Sequence, residues 1–203
     1  MMSHLRPALV VFVLLSVITG IAYPLAVTGI AQTCFPSQAE GSVLLLDGKA
    51  VGSSLLGQEF SGARYFWGRP SATSPVPYTS FNADKGMGSS GSNLGPTNPD
   101  LVKNVRSRID ALAAADTEAG YMRPANDRVP VDLVTSSASG LDPHISLAAA
   151  EYQLPRVARA RGMTLDALRS IVKRHTQGRQ LGILGEPVVN VVQLNLDLDS
   201  TAR

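Results

Sequence analysis

Residues 7–31 read PALVVFVLLSVITGIAYPLAVTGIA and contain no charged side chain. The uncharged region continues to Ala39, so that Arg6 and Glu40 are the charges on either side of it. As an α-helix, residues 7–31 would be about 37 Å long, which exceeds the roughly 30 Å hydrocarbon core of a bilayer. The stretch therefore predicts a transmembrane helix, with Tyr23 near an interface and a kink or end at Pro24.

A cleaved signal peptide is the alternative, because Gly29 and Ala31 have the small-x-small spacing of a cleavage site. The apolar run is about twice as long as a typical signal-peptide core, which favours an uncleaved anchor. Arg6 precedes the run, whereas the first charged residues after it are acidic. The positive-inside rule then predicts that residues 1–6 are cytoplasmic and that residues 32–203 form an extracytoplasmic domain.

The composition narrows the classes of function. The chain has 203 residues and a net charge of +2, so nothing in its overall charge indicates a nucleic-acid partner. Its single cysteine, Cys34, excludes an intrachain disulfide and a cysteine-based zinc site. With only three histidines, a histidine-rich metal site is not expected. We also expect no metal site of another kind and no cofactor bound by this chain.

Residues 32–203 mix strand and helix patterns without strict alternation, which predicts an α+β domain. Strands are expected on both sides of an Asp47-Gly48 turn, at residues 129–134 and at residues 188–198. Residues 71–99 are rich in proline and glycine and have almost no aliphatic side chains. A loop of this length in a compact domain is usually functional or disordered.

Three helix starts carry N-cap signals. Asn98 followed by Pro99 predicts a helix that ends near residues 116–120, and Thr164 predicts another. Asp142-Pro143 predicts a helix from Pro143 to about Gln153, after which Pro155 would restart the chain until Gly162. The apolar stripe of the first helix comprises Leu101, Val102, Val105, Ile109, Leu112 and Ala113.

Ser139, Asp142 and His144 lie close in sequence and include the residue types of a hydrolase triad. A membrane-anchored envelope hydrolase is therefore one hypothesis, although geometry and not sequence proximity decides such a site. The other interpretation is that the polar residues 89–98 and 135–144 form a docking or ligand-binding surface. A solitary periplasmic binding module is a third hypothesis.

Several sequence blocks, in this order along the chain, resemble one known family, the C subunit of the Kdp-type potassium-transporting P-type ATPase. The resemblance covers essentially the whole chain. The blocks are GQEF (57–60), YFWGRPS (65–71), GSSGSNLGPTNP (88–99), VPVDLVTSSASGLDPHIS (129–146), QLPRVARARG (153–162), HTQGR (175–179) and LGILGEPVVNVVQLNLDL (181–198).

The resemblance implies a bacterial inner-membrane complex for high-affinity K⁺ uptake. In that family a channel-like A subunit conducts K⁺, and a P-type B subunit hydrolyses ATP with Mg²⁺ through an aspartyl phosphate. A small single-span F subunit is a further expected partner, and the lipid bilayer surrounds the N-terminal helix. The C subunit has no catalytic aspartate, so the resemblance implies that this chain is not itself an enzyme.

The resemblance implies two alternative functions. One is assembly of the complex together with a periplasmic cap at the K⁺ entrance of the A subunit. The other is a catalytic chaperone that raises the ATP affinity of the B subunit, with Gln153 as the residue at the nucleotide. The predicted topology favours the cap, because ATP is cytoplasmic whereas Gln153 is expected outside.

Contacts with the A subunit are expected from both parts of the chain. In the span, Ser16, Thr19, Gly20 and Gly29 are possible positions of close helix packing. In the external domain, the interface candidates share a place in polar loops or in the resembling blocks. They are Gln58, Arg69, Asn93, Gly95, Asn98, Asp132, Ser139, Asp142, His144 and Arg156.

Overall fold

One long helix dominates the first of two compact units, which extends to Val51. In the computed structural model, which describes residues 4–84 and 87–201, helix α1 is Leu5–Cys34. None of its residues is buried within the chain. The predicted helix of residues 7–31 is thus confirmed as a helix and is longer at both ends. Pro24 does not end it, because a π-helical turn at Ile18–Ala22 precedes the proline.

A short helix and a hairpin follow α1. Helix α2 is Pro36–Ala39, and strands β1 (Val43–Leu46) and β2 (Lys49–Ser53) pair with each other. Asp47 and Gly48 have φ values of 51° and 75°, as a tight hairpin turn requires. The two strands predicted around this turn are confirmed.

The second unit, from Gly52 onward, mixes helices with short strands, which confirms the α+β class. Its regular elements are listed here in chain order. They are β3 (Phe81–Asn82), β4 (Met87–Gly88), α3 (Pro99–Glu118), a 3-10 turn (Val131–Leu133), β5 (His144–Ser146), α4 (Leu147–Arg161), α5 (Leu165–Arg174), β6 (Thr176–Gln177), β7 (Val188–Asn190) and α6 (Val191–Thr201).

A small antiparallel sheet and the helices around it form the core. Strand β7 lies between β5 and β6, and Val189 pairs with both Ile145 and Thr176. The fully buried apolar side chains come from the sheet, the helices and the segment around Phe66. They include Phe66, Leu112, Leu133, Ile145, Leu154, Val157, Leu168, Val189, Leu194 and Leu198.

The cap predictions are confirmed at two helix starts and one helix end. The Asn98 side chain accepts the Asp100 N–H at 2.9 Å, and Thr164 accepts the Ala167 N–H at 3.3 Å. Gly162 ends α4 in the left-handed region, with φ 65°. These signals are local, because a cap side chain bonds a backbone group two or three residues away.

The predicted start of helix α4 was wrong, since the helix begins at Leu147 and not at Pro143. Ser146 caps it by accepting the Ala149 N–H at 3.0 Å. The Asp142 carboxylate instead accepts the His144 N–H, and His144 belongs to strand β5. Pro155 does not restart the chain either, because it lies inside the helix between buried residues on both sides.

Two predicted strands were wrong because short apolar runs do not distinguish strand from helix. Residues 129–134 contain a 3-10 turn, in which only Leu133 is buried. The run at 188–198 is a strand only as far as Asn190. The Asn190 side chain accepts the Gln193 N–H at 3.0 Å, and helix α6 follows.

The apolar stripe predicted for α3 is buried only in part. Leu112 is 1% exposed, whereas Val102 and Ile109 are 46% and 38% exposed. The remaining core contacts of α3 come from Ala115 and Asp116 near its C-terminal end. The fully buried side chains of α3 therefore all lie in its C-terminal half.

Candidate functional site

Residues 62–69, the clamped segment, connect the core to the candidate site and are held mainly by side chains. The Gln153 amide, from α4, accepts the Trp67 N–H at 2.8 Å and donates to the Trp67 carbonyl at 3.0 Å. The Asn195 amide, from α6, makes the same pair of bonds with Phe66, at 3.0 and 2.9 Å. Each side-chain amide thus makes the pair of hydrogen bonds that the backbone of a neighbouring β-strand would otherwise make.

Arginine side chains bind further carbonyl groups of the clamped segment. Arg156 donates to Ala63 O, Arg161 to Arg64 O at 2.7 Å, and Arg108 to Gly68 O at 2.9 Å. The guanidinium groups of Arg108 and Arg156 also lie 4.7 and 5.1 Å from the ring centre of Trp67. Burial lowers the pKa of Arg156 to about 10, although nearby Asp116 opposes the shift. The guanidinium group therefore stays charged at neutral pH.

The clamped segment places Arg69 at a surface cleft of about 450 Å³. Arg69 Nη1 lies 3.4 Å from Asp142 Oδ2, and Arg69 Nη2 donates to the Ser136 carbonyl at 3.1 Å. Four of the predicted interface residues line this cleft together. They are Arg69, Asp132, Asp142 and His144.

The charged groups of the cleft are fixed by contacts within the chain. Partial burial would raise the pKa of Asp142, but hydrogen bonds from His144 and the charge on Arg69 hold it below its usual value. Asp132 accepts the Ser146 N–H at 2.7 Å and the Ser146 hydroxyl at 3.2 Å. The cleft therefore presents the ionised Asp142 carboxylate beside a guanidinium group, which suits hydrogen bonding to a protein partner.

The two polar loops predicted as a docking surface lie against each other, and we call residues 89–98 and 135–144 the loop pair. The Ser139 carbonyl accepts the Ser90 N–H and the Ser89 hydroxyl, both at 2.9 Å. Gly140 has φ 68°, and a Cβ there would lie 2.5 Å from the Ser90 carbonyl oxygen. Glycine is required here by both the backbone and the close approach of the loops.

Ser71 and Tyr78 fix the loop pair to the clamped segment, and the sequence analysis did not identify either of them. The Ser71 hydroxyl donates to the Gly140 carbonyl at 2.6 Å and accepts the Tyr78 N–H at 2.9 Å. The Tyr78 hydroxyl donates to the Arg69 carbonyl at 2.6 Å. The sequence signals that include them are the block YFWGRPS (65–71), which contains Ser71, and the long loop of residues 71–99, which contains Tyr78.

The remaining interface candidates range from exposed to completely buried. Asn93 and Gly95 are exposed in the loop pair, where Asn98 serves as the cap of α3. Gln58 is half-buried beside Gly52. Arg156 is completely buried, so in this conformation it cannot contact a partner.

Gln153, the residue implied at a nucleotide, is also completely buried. Its amide binds Trp67 and also accepts a hydrogen bond from Arg156 Nη2 at 2.7 Å. A nucleotide could reach this amide only if those bonds broke. The nucleotide contact stays a prediction, and the observed contacts of Gln153 are structural.

The hydrolase residues are not arranged as a nucleophile and its base. His144 Nδ1 lies 3.4 Å from Asp142 Oδ1, but the buried His144 Nε2 has no hydrogen-bond partner within the described chain. The Ser139 hydroxyl instead accepts the Leu141 N–H at 3.1 Å. Residues 4–84 and 87–201 also contain no group of three or more side chains that could hold a metal ion.

Comparison with known families decides what kind of chain carries this surface. The KdpC family, described as the K⁺-transporting ATPase c chain, matches residues 5–200. The chain belongs to the KdpC family. The resemblance on which the sequence analysis relied is thereby confirmed, and the match includes both helix α1 and the second unit.

Individual relatives are similar over their full length. A potassium-transporting ATPase KdpC subunit of Sorangium cellulosum is 60% identical over 199 residues, which cover 98% of both chains. A KdpC subunit of Dechloromonas aromatica is 55% identical over 203 residues, covering 100% of each chain. A third, from Polaromonas naphthalenivorans, is 57% identical over 201 residues, covering 98% of this chain and 96% of the relative. This KdpC-family chain therefore has the same overall extent as its relatives.

Proposed function

We propose that this KdpC-family chain is a non-catalytic accessory subunit of an ATP-driven, high-affinity K⁺ uptake complex. It assembles and stabilises a channel-like A subunit, a P-type B subunit and a small single-span F subunit. The A subunit conducts K⁺, and the B subunit hydrolyses ATP with Mg²⁺. The family match over residues 5–200 is the observation that carries this proposal.

Helix α1 is the membrane anchor in this proposal, and the second unit lies in the periplasm. The helix is apolar, exposed along its length and long enough to cross a bilayer. Arg6 before it and Glu40 after it favour a cytoplasmic N-terminus in the bacterial inner membrane.

The single cysteine permits a direct test of this orientation. Cys34 is exposed at the end of α1, so a membrane-impermeant maleimide should label it in cells with a permeabilised outer membrane. A Cys34→Ser, His4→Cys variant should be labelled only after the inner membrane is disrupted. A Cys34→Ser, Met122→Cys variant, with the new cysteine at a 92% exposed position, should be labelled like the parent chain. The reverse labelling pattern would contradict the proposed orientation.

The loop pair and the adjacent cleft are the proposed surface for the A subunit at the K⁺ entrance. Both present polar groups that are held in place by contacts within the chain, so little conformational freedom is lost on binding. The carboxylates of Asp132 and Asp142 would also raise the local concentration of cations near that entrance.

Two glycine positions test the docking surface without disturbing the fold. A side chain at Gly95, in the loop pair, or at Gly178, directly after β6, would meet nothing within 4 Å in the described chain. We expect Gly95→Arg to reduce co-purification of the A and B subunits and growth at low K⁺. Gly178→Arg should leave both unchanged. Normal assembly of the Gly95→Arg chain would refute the loop pair as the docking surface.

A further inference from the structure

Helix α1 contains a backbone acceptor that the helix itself leaves without a donor. In a regular helix the Tyr23 N–H would bond to the Thr19 carbonyl, but here it donates to the Ile18 carbonyl. The next possible donor belongs to residue 24, which is proline and has no N–H. The Thr19 carbonyl therefore has neither an α-helical nor a π-helical partner.

Side chains of the same helix do not replace the missing donor. The Thr19 hydroxyl donates to the Leu15 carbonyl at 2.7 Å, one turn towards the N-terminus. No residue of the π-helical turn or of the helical segments on either side of it is buried within the chain. Residues 4–84 and 87–201 therefore supply no donor to the Thr19 carbonyl, which leaves a neighbouring molecule as its source.

The position of this carbonyl makes the missing bond important. Thr19 lies at the midpoint of Leu5–Cys34, which corresponds to the centre of the bilayer if α1 spans it. Water is scarce there, and lipid headgroups lie at the two surfaces. An unpaired backbone group in that environment is strongly unfavourable, and in membrane helices with proline the freed groups are bonded by neighbouring helices, Ser/Thr side chains, ordered waters or local 3-10 and π adjustments. In α1 the π-helical turn and the Thr19 hydroxyl supply no donor to the Thr19 carbonyl, which favours a neighbouring helix.

The helix surface beside the carbonyl is open to such a neighbour. Gly20 follows Thr19 directly, and a Cβ at Gly20 would meet nothing within 4 Å. The glycine is therefore not required by packing within this chain. Small residues at such positions let a second helix approach the backbone closely.

We propose that the Thr19 carbonyl accepts a hydrogen bond from a side-chain donor on a membrane helix of a partner subunit. The π-helical turn before Pro24 creates the acceptor, and Gly20 gives the donor access to it. The inference rests on the proposed function, because it requires that this chain assembles with multi-span partners. It adds to that function a specific bond at the centre of the membrane.

A competition experiment in the assembled complex tests this bond. Wild-type chain and a variant of distinguishable mass are co-expressed with the partner subunits, and the complex is purified through a tag on the A subunit. The ratio of the two chains in the complex is divided by their ratio in the membrane. Pro24→Ala restores the missing N–H and the regular register, so that the helix itself satisfies its carbonyl groups and the partner's donor loses its acceptor. We expect the Pro24→Ala chain to be under-represented by about three- to thirty-fold.

Pro7→Ala is the matched control in the same helix. Pro7 lies in the first turn of α1, where the backbone N–H groups have no intrahelical acceptor in any case. This variant should be incorporated equally with the wild type. Gly20→Leu, which leaves Pro24 in place but blocks access, should be under-represented like Pro24→Ala.

The possible outcomes separate the two proposals. Equal incorporation of Pro24→Ala and wild type would overturn the hydrogen bond, because water or lipid would then satisfy the carbonyl, while the accessory function would stand. An equal loss for Pro7→Ala and Pro24→Ala would also overturn it, because the defect would not depend on the Thr19 carbonyl. A wild-type chain that is absent from the purified complex would instead refute the proposed function.

Discussion

Helix α1 and the clamped segment satisfy their backbone hydrogen bonds in opposite ways. In α1 the donors and acceptors lie within one or two turns of each other, with the exception at Thr19. In the clamped segment the partners are side chains far away in sequence, 86 positions from Trp67 to Gln153 and 129 from Phe66 to Asn195. The first region depends on its own sequence, whereas the second depends on particular distant residues.

The difference implies different responses to substitution. A side chain of α1 can change without removing a backbone bond, because the backbone bonds itself. Loss of a side chain that binds the clamped segment leaves buried N–H or carbonyl groups unpaired, which costs about 1–3 kcal/mol for each group. Trp67, the only tryptophan, lies in that segment and is 4% exposed, so its fluorescence reports unfolding there.

Arg156→Ala should cause the largest effect. The variant removes a completely buried guanidinium group that binds Ala63, Gln153 and Trp67, and it leaves Asp116 with one arginine fewer. We expect the free energy of unfolding to fall by about 3–5 kcal/mol, measured by urea unfolding of the full chain in detergent. Arg159→Ala, an exposed arginine in the same helix, should change it by less than about 0.5 kcal/mol. Equal effects of the two variants would contradict the proposal that Arg156 stabilises the clamped segment.

Gln153→Ala tests the amide that binds Trp67. Two backbone groups of Trp67 lose their partner, so the free energy of unfolding should fall by about 2–4 kcal/mol in the same assay. Gln177→Ala, at an exposed position in β6, is the control and should have almost no effect. A Gln153→Ala chain as stable as the wild type would contradict the structural role of this amide.

Tyr78→Phe should have an intermediate effect that depends on pH. The variant loses the hydrogen bond to the Arg69 carbonyl, which should cost about 1 kcal/mol near pH 8. Burial raises the pKa of Tyr78 to about 12. Because the folded-state pKa lies above the unfolded value of about 10, this stabilisation is complete below pH 10 and is lost as the pH rises through 12. The free energy lost by the wild-type chain over this range exceeds the roughly 1 kcal/mol of the hydrogen bond. The difference in unfolding free energy between the two chains should therefore shrink above pH 10 and then reverse in sign; a constant difference would contradict this assignment.

Thr33→Val should have the smallest effect and completes the comparison. The Thr33 hydroxyl, in α1, donates to the Gly29 carbonyl. The helix content of the variant, measured by circular dichroism, should equal that of the wild type. Its free energy of unfolding should stay within about 0.5 kcal/mol of the wild-type value. The same exchange at Thr73, whose hydroxyl accepts the Thr79 N–H and donates to the Val76 carbonyl, should cost about 1–2 kcal/mol. A larger loss of unfolding free energy at Thr33 than at Thr73 would contradict the proposal that α1 depends less on its side-chain hydrogen bonds than the second unit does.

The sequence predicted those features of the site that depend on neighbouring residues. The proximity of Asp142 and His144, the cap at Asn98 and the polar character of the loop pair all follow from short spacings. Sequence reasoning did not place Gln153 and Arg156 in the interior, because polar residues in an amphipathic pattern are ordinarily exposed. The burial of Asn195 was not predicted either, because the apolar residues of VVQLNLDL alternate as in a strand although the segment forms helix α6.

By itself, the sequence determined the long apolar helix, the caps of α3 and α5, the Asp47-Gly48 hairpin and the family. Each of the structural features depends on contacts within a few residues, and the family follows from ordered blocks along the chain. The tertiary structure alone decided that residues 62–69 are held by side chains of α4 and α6, that residues 191–201 are helical, and that Arg69, Asp132, Asp142 and His144 share one cleft. Those features depend on hydrogen bonds and packing between residues distant in sequence, which no local pattern contains.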